Sequence, residues 1–283
     1  MGLYKNNLKK SLEFLILRGY GIQDIFWVNL AKLNFLLYKF LNRETSLGHY
    51  LLKGSIVKNS YGVFFCRKRS SDLSSIIESR EFEEMEKVKK LVGAGDVVID
   101  CGAHIGKYTI FASKNVSDGG KVIAFEPHPD NYEILIKNLR LNKCRNVVAL
   151  KVGLWNKNGT HAFSISSNYA QHSMVIDHRK NYLKIKVNKL DAILNRFGIK
   201  TVKLLKLDAE GAEYFVLLGA LKSLRAHRIS NIVLETHPIQ LERNGKIILI
   251  RKSKELLKSC GYTIQRLSRE HIFCTIRKSD IGS

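Results

Sequence analysis

The chain has 283 residues, 45% of them hydrophobic, with 47 Lys and Arg against 25 Asp and Glu, a net charge of +22. This length and apolar content, with only three prolines, exclude a low-complexity chain and suit one decorated α/β domain or two small ones. The five cysteines are scattered and never spaced C-x-x-C, so neither a zinc site nor a disulfide framework is expected, and a reducing cytoplasm is the simpler setting.

Residues 1–70 hold 12 Lys and Arg against 3 Asp and Glu, the densest part of the charge excess. The charge admits nucleic acid, an anionic membrane, an acidic acceptor or a plain solvated surface. No RNA-module signature or arginine-rich arm accompanies it. Leu8, Leu12, Leu15 and Ile16 predict one helix, Gly19 and Gly21 break it, and Ile22, Phe26, Leu30, Leu33, Leu37 and Leu41 predict a second. Asn29, Lys32, Asn34 and Lys39 interrupt the second too often for a membrane span, and the apolar run at 14–17 is too short for a secretory signal. The expectation is a helix packed on the domain or on a second subunit, with a membrane-interface helix as the alternative.

Residues 54–69 alternate as a hairpin, Asp72 is positioned as an N-cap, and an acidic amphipathic helix is expected over 80–92, the whole roofing a cleft. Three parts follow: residues 1–50 as a helical extension, 51–92 as hairpin and lead-in helix, and 93–283 as the main domain.

The run Val97–Phe111 passes from a β-branched strand through Asp100, Gly102, Ala103, His104 and Gly106 into a helical pattern. A strand-to-helix turn of this kind exposes N–H groups and the positive end of a helix dipole, which suits a polar or anionic ligand. Its spacing is neither G-x-G-x-x-G nor a P-loop. A second strand over 121–126 ends at Glu126, placed as the acid that accepts hydrogen bonds from a ribose, and is followed by Pro127. Further strands are expected near 147–152, 202–208 and 230–235, with helices near 106–115, 130–141, 187–197 and 211–225. This alternation predicts a parallel sheet covered on both faces. Residues 155–185 are the least regular part of the domain: Asn156–Gly159 reads as a turn, and Ser166–His178 carries no clear period and stands as a candidate mobile substrate loop, while 261–277 reads as a hairpin with its last strand antiparallel.

The runs VVIDCGAHIGKYTIFAS, VIAFEPHPDNYEIL, KVGLWNKNGT, KLLKLDAEGAE and NIVLETHP, in this order over roughly residues 93–240, resemble the S-adenosylmethionine-dependent methyltransferases of the FkbM type. The D-x-E-G-x-E element is the most specific of them. One departure is His104, where relatives carry Asn. The resemblance implies a Rossmann-like, seven-stranded class I sheet of order 3-2-1-4-5-7-6 with an N-terminal helical and hairpin extension. It also implies S-adenosylmethionine as cofactor, held by Asp100, Gly102, Ala103, His104, Gly106, Glu126, Pro127, Gly153 and Asp208. The implied reaction is O-methylation of a hydroxyl on a sugar, glycolipid or other small metabolite.

Strands 1, 4 and 5 end at Asp100, Asp208 and Glu235, so their acids should converge on one rim. Asp208, Glu210, Glu235 and His237 are the candidate catalytic groups: carboxylates suit a cationic donor, and a histidine with an ordinary pKa suits a general base. The same four could instead hold a divalent ion. The alternatives are an RNA methyltransferase, motivated by the charge, and a non-catalytic scaffold that binds cofactor or membrane. A homo-oligomer is compatible with the sequence.

Overall fold

The structure, a computed structural model, describes residues 15, 17–40, 51–77, 82–166, 172–176 and 181–277. The helix expected through Leu8 and Leu12 therefore lies outside the described residues, as do Ile16, Leu41 and part of the segment expected as a substrate loop.

Strand β1 (Arg18–Gly19) and helix α1 (Ile22–Phe40) precede the hairpin of β2 (Ser55–Lys58) and β3 (Val63–Cys66). β1 adds to β2 antiparallel, making a three-stranded outer sheet. Helices α2 (Asp72–Ser75) and α3 (Phe82–Leu91) then lead inward. Val57, Phe64, Leu73 and Met85 from this lead-in are buried in one cluster with Ile110 and Leu135, so residues 51–77 and 82–92 share the core that follows.

That core runs β4 (Val97–Cys101), α4 (Lys107–Val116), β5 (Lys121–Phe125), α5 (Pro129–Leu141) and β6 (Val147–Leu150). Three outer strands come next, β7 (Gly153–Leu154), β8 (Gly159–Ser164) and β9 (Tyr182–Asn188). The second half is α6 (Leu190–Arg196), β10 (Leu204–Leu207), α7 (Glu213–Gly219), α8 (Leu221–Arg225), β11 (Asn231–Glu235), α9 (Pro238–Arg243), α10 (Ile248–Ser259), β12 (Tyr262–Arg266) and β13 (His271–Ile276).

The main sheet has the order β6-β5-β4-β10-β11-β13-β12. The pairs through β11 are parallel, and β13 is antiparallel to both neighbours. This is the expected 3-2-1-4-5-7-6 order of a Rossmann-like class I sheet. Its centre is largely apolar on both faces because helices cover both, which is why β4, β5 and β10 read as apolar runs, broken within β4 by Asp100 and within β10 by Lys206.

Three local expectations change. Within 155–185, β8 and β9 pair antiparallel and β7 joins β9 in a small third sheet. Ile185 and Val187 point inward while Lys184 and Lys186 are exposed, a true period of two that long intervening residues conceal. The helix expected over 187–197 starts later because β9 runs on to Asn188. The helix expected over 211–225 divides after Gly219, where a Cβ would stand 2.1 Å from the Trp155 carbonyl oxygen. Helices α9 and α10, which carry the crossover from β11 to β12, were not among the expected elements; α10 buries Leu249, Ser253 and Leu257.

Candidate active site

β4 carries buried residues to the centre of the sheet, and the chain must then turn sharply into α4. Gly102 makes that turn at φ +84°, and a Cβ on it would lie 1.8 Å from the carbonyl oxygen of Asp208. Glycine is required here by the backbone of the neighbouring strand's end. Gly106 (φ +98°) closes the turn, and His104 holds φ +49° without being glycine. The second strand anchors the turn: Gly102 and Ala103 donate their N–H groups to the Phe125 carbonyl at 3.1 and 3.0 Å. His104 N–H donates to Glu126 Oε2 at 2.8 Å, and His128 N–H to Oε1 at 2.9 Å. Burial pushes the Glu126 carboxyl up to about 7, against the pull of those two N–H groups.

Asp100 sits beneath this turn. Its Oδ2 accepts from Thr109 Oγ1 at 2.5 Å and its Oδ1 lies 3.8 Å from Lys206 Nζ. The lead-in reaches the turn from the other side. Asp72 was expected to cap a helix, but the cap position falls on Ser71 and the Asp72 carboxylate instead takes a two-pronged bond from Arg67, Nη2 at 2.7 Å and Nε at 2.8 Å. Arg67 also donates to Asn131 Oδ1 at 2.8 Å, and Asp72 Oδ1 lies 3.6 Å from His104 Nε2. A partner in the preceding hairpin overrides the local capping signal.

The ends of β10 and β11 supply the facing rim. His237 caps α9 at φ +45°, with Pro238 as the first helical residue. Its imidazole is buried among four carboxylates: Nε2 stands 3.0 Å from Asp208 Oδ1 and 3.4 Å from Glu213 Oε1, and Nδ1 stands 3.7 Å from Glu210 Oε2 and 3.8 Å from Glu235 Oε1. Burial opposes its charge, but Glu210, Glu235, Glu213 and Asp208 together lift its pKa well above the ordinary histidine value. Burial also works against the Asp208 anion, yet the Lys206 ammonium at 3.0 Å and His237 hold this carboxyl far below the usual range. Glu210 goes the other way, pushed up to about 8 by burial and by its acidic neighbours despite His237. Glu235 is raised for the same reasons, burial first and Asp208 next.

Glu213 serves its own turn, its Oε1 accepting from the N–H groups of Ala209 (2.9 Å) and Gly211 (3.1 Å). Behind Glu235, His271 bridges to it at 3.4 Å and to the buried Glu84 of α3 at 2.9 Å. Burial disfavours the His271 cation, but these two carboxylates raise it to about 10. Among the described residues, Asp208, Glu235 and His237 each bring one donor atom within 4.8 Å of the others, and Glu210 is not part of that set.

Turn and rim face each other across one cleft. Gly102, Ala103, His104, Glu126, Pro127 and Gly153 line one side, and Asp208, Glu210 and Glu235 the other. Asp100, Gly106 and His237 stand behind the lining. Sequence reasoning missed Lys206, which lines the cleft from an otherwise apolar strand; a lysine inside a buried run was its signal. It also missed Glu84 and His271, which carry no local signal, Phe163 of β8, and His172 and Met174 of the segment bridged to β8 through Ser173, which close the cleft. His172 stacks on His128 at 4.2 Å between ring centroids, and Ser173 Oγ donates to the Glu210 carbonyl at 2.6 Å.

An open, mostly parallel sheet with a glycine turn after its first strand, an acid after its second and carboxylates after its fourth and fifth defines the class: an S-adenosylmethionine-dependent methyltransferase domain. Residues 100–264, more than half of the chain, match the model of the methyltransferase FkbM domain, and the chain belongs to that family. It is 28% identical over 171 residues to the methyltransferase sdnD of Sordaria araneosa, covering 49% of this chain and 65% of that protein. It is 27% identical over 142 residues to the hexuronic acid methyltransferase AglP of Haloferax volcanii, covering 50% of this chain and 56% of that protein. The chain thus spans less than two thirds of either relative. The solved structure of methyltransferase FkbM from Methylobacillus flagellatus KT superposes with a TM-score of 0.44 at 16% identity, covering 72% of this chain and 53% of that one.

Proposed function

We propose that this protein transfers a methyl group from S-adenosylmethionine to a hydroxyl of a sugar, glycolipid or other small metabolite. The observation that carries the reading is the placement of Asp208, Glu210 and Glu235 on the rim of the same cleft that the Gly102–Gly106 turn and Glu126 line. A hexuronic acid methyltransferase among the relatives supports a sugar acceptor.

In this reading Gly102, Ala103 and His104, whose N–H groups are already taken up by Phe125 and Glu126, line the methionine end by close backbone approach, Glu126 meets the ribose and Pro127 with Gly153 the base, while Asp100 and Gly106 shape the turn from behind. S-adenosylmethionine, when bound, supplies an electrophilic methyl on a sulfonium. Glu210 or Glu235 takes the hydroxyl proton: burial raises both carboxyls, Glu210 to about 8, and a raised carboxylate is a better base than one held far below the usual range. Asp208, locked to Lys206 and His237, stays ionised and orients the acceptor. His237 already holds its proton between four carboxylates, so it acts as a fixed cation in place of the base expected from its ordinary pKa. Lys206 and His237 supply the countercharge that a divalent ion would bring, and the reading needs no metal.

Residues 51–92 act in it as a wall of the site, through Ser75 in the cleft and the Arg67–Asp72 pair behind His104. Mass spectrometry of lipids and glycans from cells with and without the protein tests the acceptor. A product carrying one added methyl on oxygen is expected, and a product methylated on nitrogen or on RNA overturns the reading.

A further inference from the structure

Helix α1 carries more apolar surface than the fold uses. Val28, Ala31 and Phe35 are buried on one face and join the main core. On the opposite face Ile22 (89% exposed), Ile25, Phe26 (61%), Leu33, Leu36 and Leu37 project outward, spaced i, i+3, i+4, i+11, i+14 and i+15. At 3.6 residues per turn they fall within an arc of roughly 120°, with Asn29 as the polar residue in the stripe. A contiguous exposed face of this kind marks a contact surface.

Charge says what covers it. The single carboxylate of α1, Asp24, is turned to the protein, where it accepts from the N–H groups of Ile56 (2.8 Å) and Gly21 (3.3 Å). The stripe is edged by cations instead. Lys32 lies along one border with Arg18 close enough to lower its pKa further, beyond the effect of partial burial. Lys53 stands on the other side of the helix, its Nζ 5.9 Å from the Trp27 ring centroid. Among the described residues no helix is long and apolar enough to cross a membrane. An apolar stripe bordered by Lys and Arg fits the plane of an anionic bilayer surface, with the acyl boundary taking the side chains and the headgroups the cations.

We propose that the outer face of α1 docks this protein on an anionic lipid surface. The proposal stands apart from the methyl-transfer reading. Co-sedimentation of the full chain with vesicles of phosphatidylcholine and phosphatidylglycerol in equal parts, and of phosphatidylcholine alone, tests it. Binding to the anionic vesicles is expected to exceed binding to the neutral ones by about ten-fold or more and to weaken as salt is raised. The double variant Phe26→Glu, Leu33→Glu should lose about ten-fold or more in partitioning, and Arg18→Glu with Lys32→Glu should lose affinity for the anionic vesicles alone. S-adenosylmethionine affinity by calorimetry is the control for folding in each variant. Absence of binding to either vesicle, or undiminished binding by a folded Phe26→Glu, Leu33→Glu variant, overturns the proposal. Self-association of the chain that the same variant abolishes, without vesicle binding, overturns it in favour of a second copy on this face.

Discussion

The turn after β4 is held by backbone: N–H groups of Gly102, Ala103, His104 and His128 close onto the Phe125 carbonyl and the Glu126 carboxylate, within a stretch of 27 residues. The rim across the cleft is held by charge, with Lys206, Asp208, Glu210, Glu213, Glu235, His237 and His271 balancing one another from five elements or their ends. Backbone bonds tolerate little change of shape, and of the acceptors that hold the turn only the Glu126 carboxyl titrates. A charge cluster keeps its shape through protonation states, so one proton more or less alters several neighbours at once. On that difference, variants of the turn should report in binding or folding, and variants of the rim in turnover and pH dependence.

The largest effect should come from the rim. Asp208→Asn leaves Lys206 and His237 without their shared anion, and turnover should fall on the order of 10²–10⁴-fold while S-adenosylmethionine affinity, measured by calorimetry, stays within a few-fold. A parallel collapse of affinity would mean that turn and rim are not separable. Next is Gly102→Ala, whose Cβ would meet the Asp208 carbonyl at φ +84°. Overpacking together with a left-handed backbone should cost about 3 kcal/mol of stability in denaturant unfolding.

Glu126→Gln keeps one acceptor oxygen for the turn but loses the charge, so S-adenosylmethionine binding should weaken by roughly 1.5–3 kcal/mol with the fold intact. Unchanged affinity would remove Glu126 from the cofactor side of the cleft.

The pH dependence of folding gives a smaller effect. Glu126 and Glu210 have folded values of about 7 and 8, above the value near 4.3 of an unfolded glutamate. A raised group stabilises below its unfolded pKa and loses that contribution as pH climbs to its folded one. His271, raised to about 10, follows the same sign from about 6.5 upward. Melting temperature should therefore decline from about pH 5 to pH 9, and Glu210→Gln should flatten the part below pH 8. A melting temperature that rises over this range would show that the rim keeps its protons by other means. The smallest effect belongs to chelation: with Lys206 and His237 as resident cations, EDTA should change turnover by less than about two-fold, and activity restored only by magnesium or manganese would replace the fixed-cation role with a metal.

What the sequence determined by itself was whatever depends on neighbours along the chain. Period-two and apolar runs placed the seven strands of the main sheet, because burial on both faces leaves a direct compositional trace. The turn at Gly102–Gly106 and the acid at Glu126 were legible because a strand end, a tight turn and a helix start lie within a few residues of each other. The tertiary structure alone decided what those residues do to one another. Asp72 binds Arg67 and is not a cap, Glu84 and His271 come from distant elements to back Glu235, and Lys206 emerges from a buried strand to hold Asp208. His237 reads from sequence as a candidate base or metal ligand, and its pKa rises only because four carboxylates, three from residues 208–213 and one from Glu235, close around it. The physical reason is range: dihedral preference and periodicity act over a few residues, whereas desolvation and Coulomb interaction depend on distances in space, which exist only after the chain has folded.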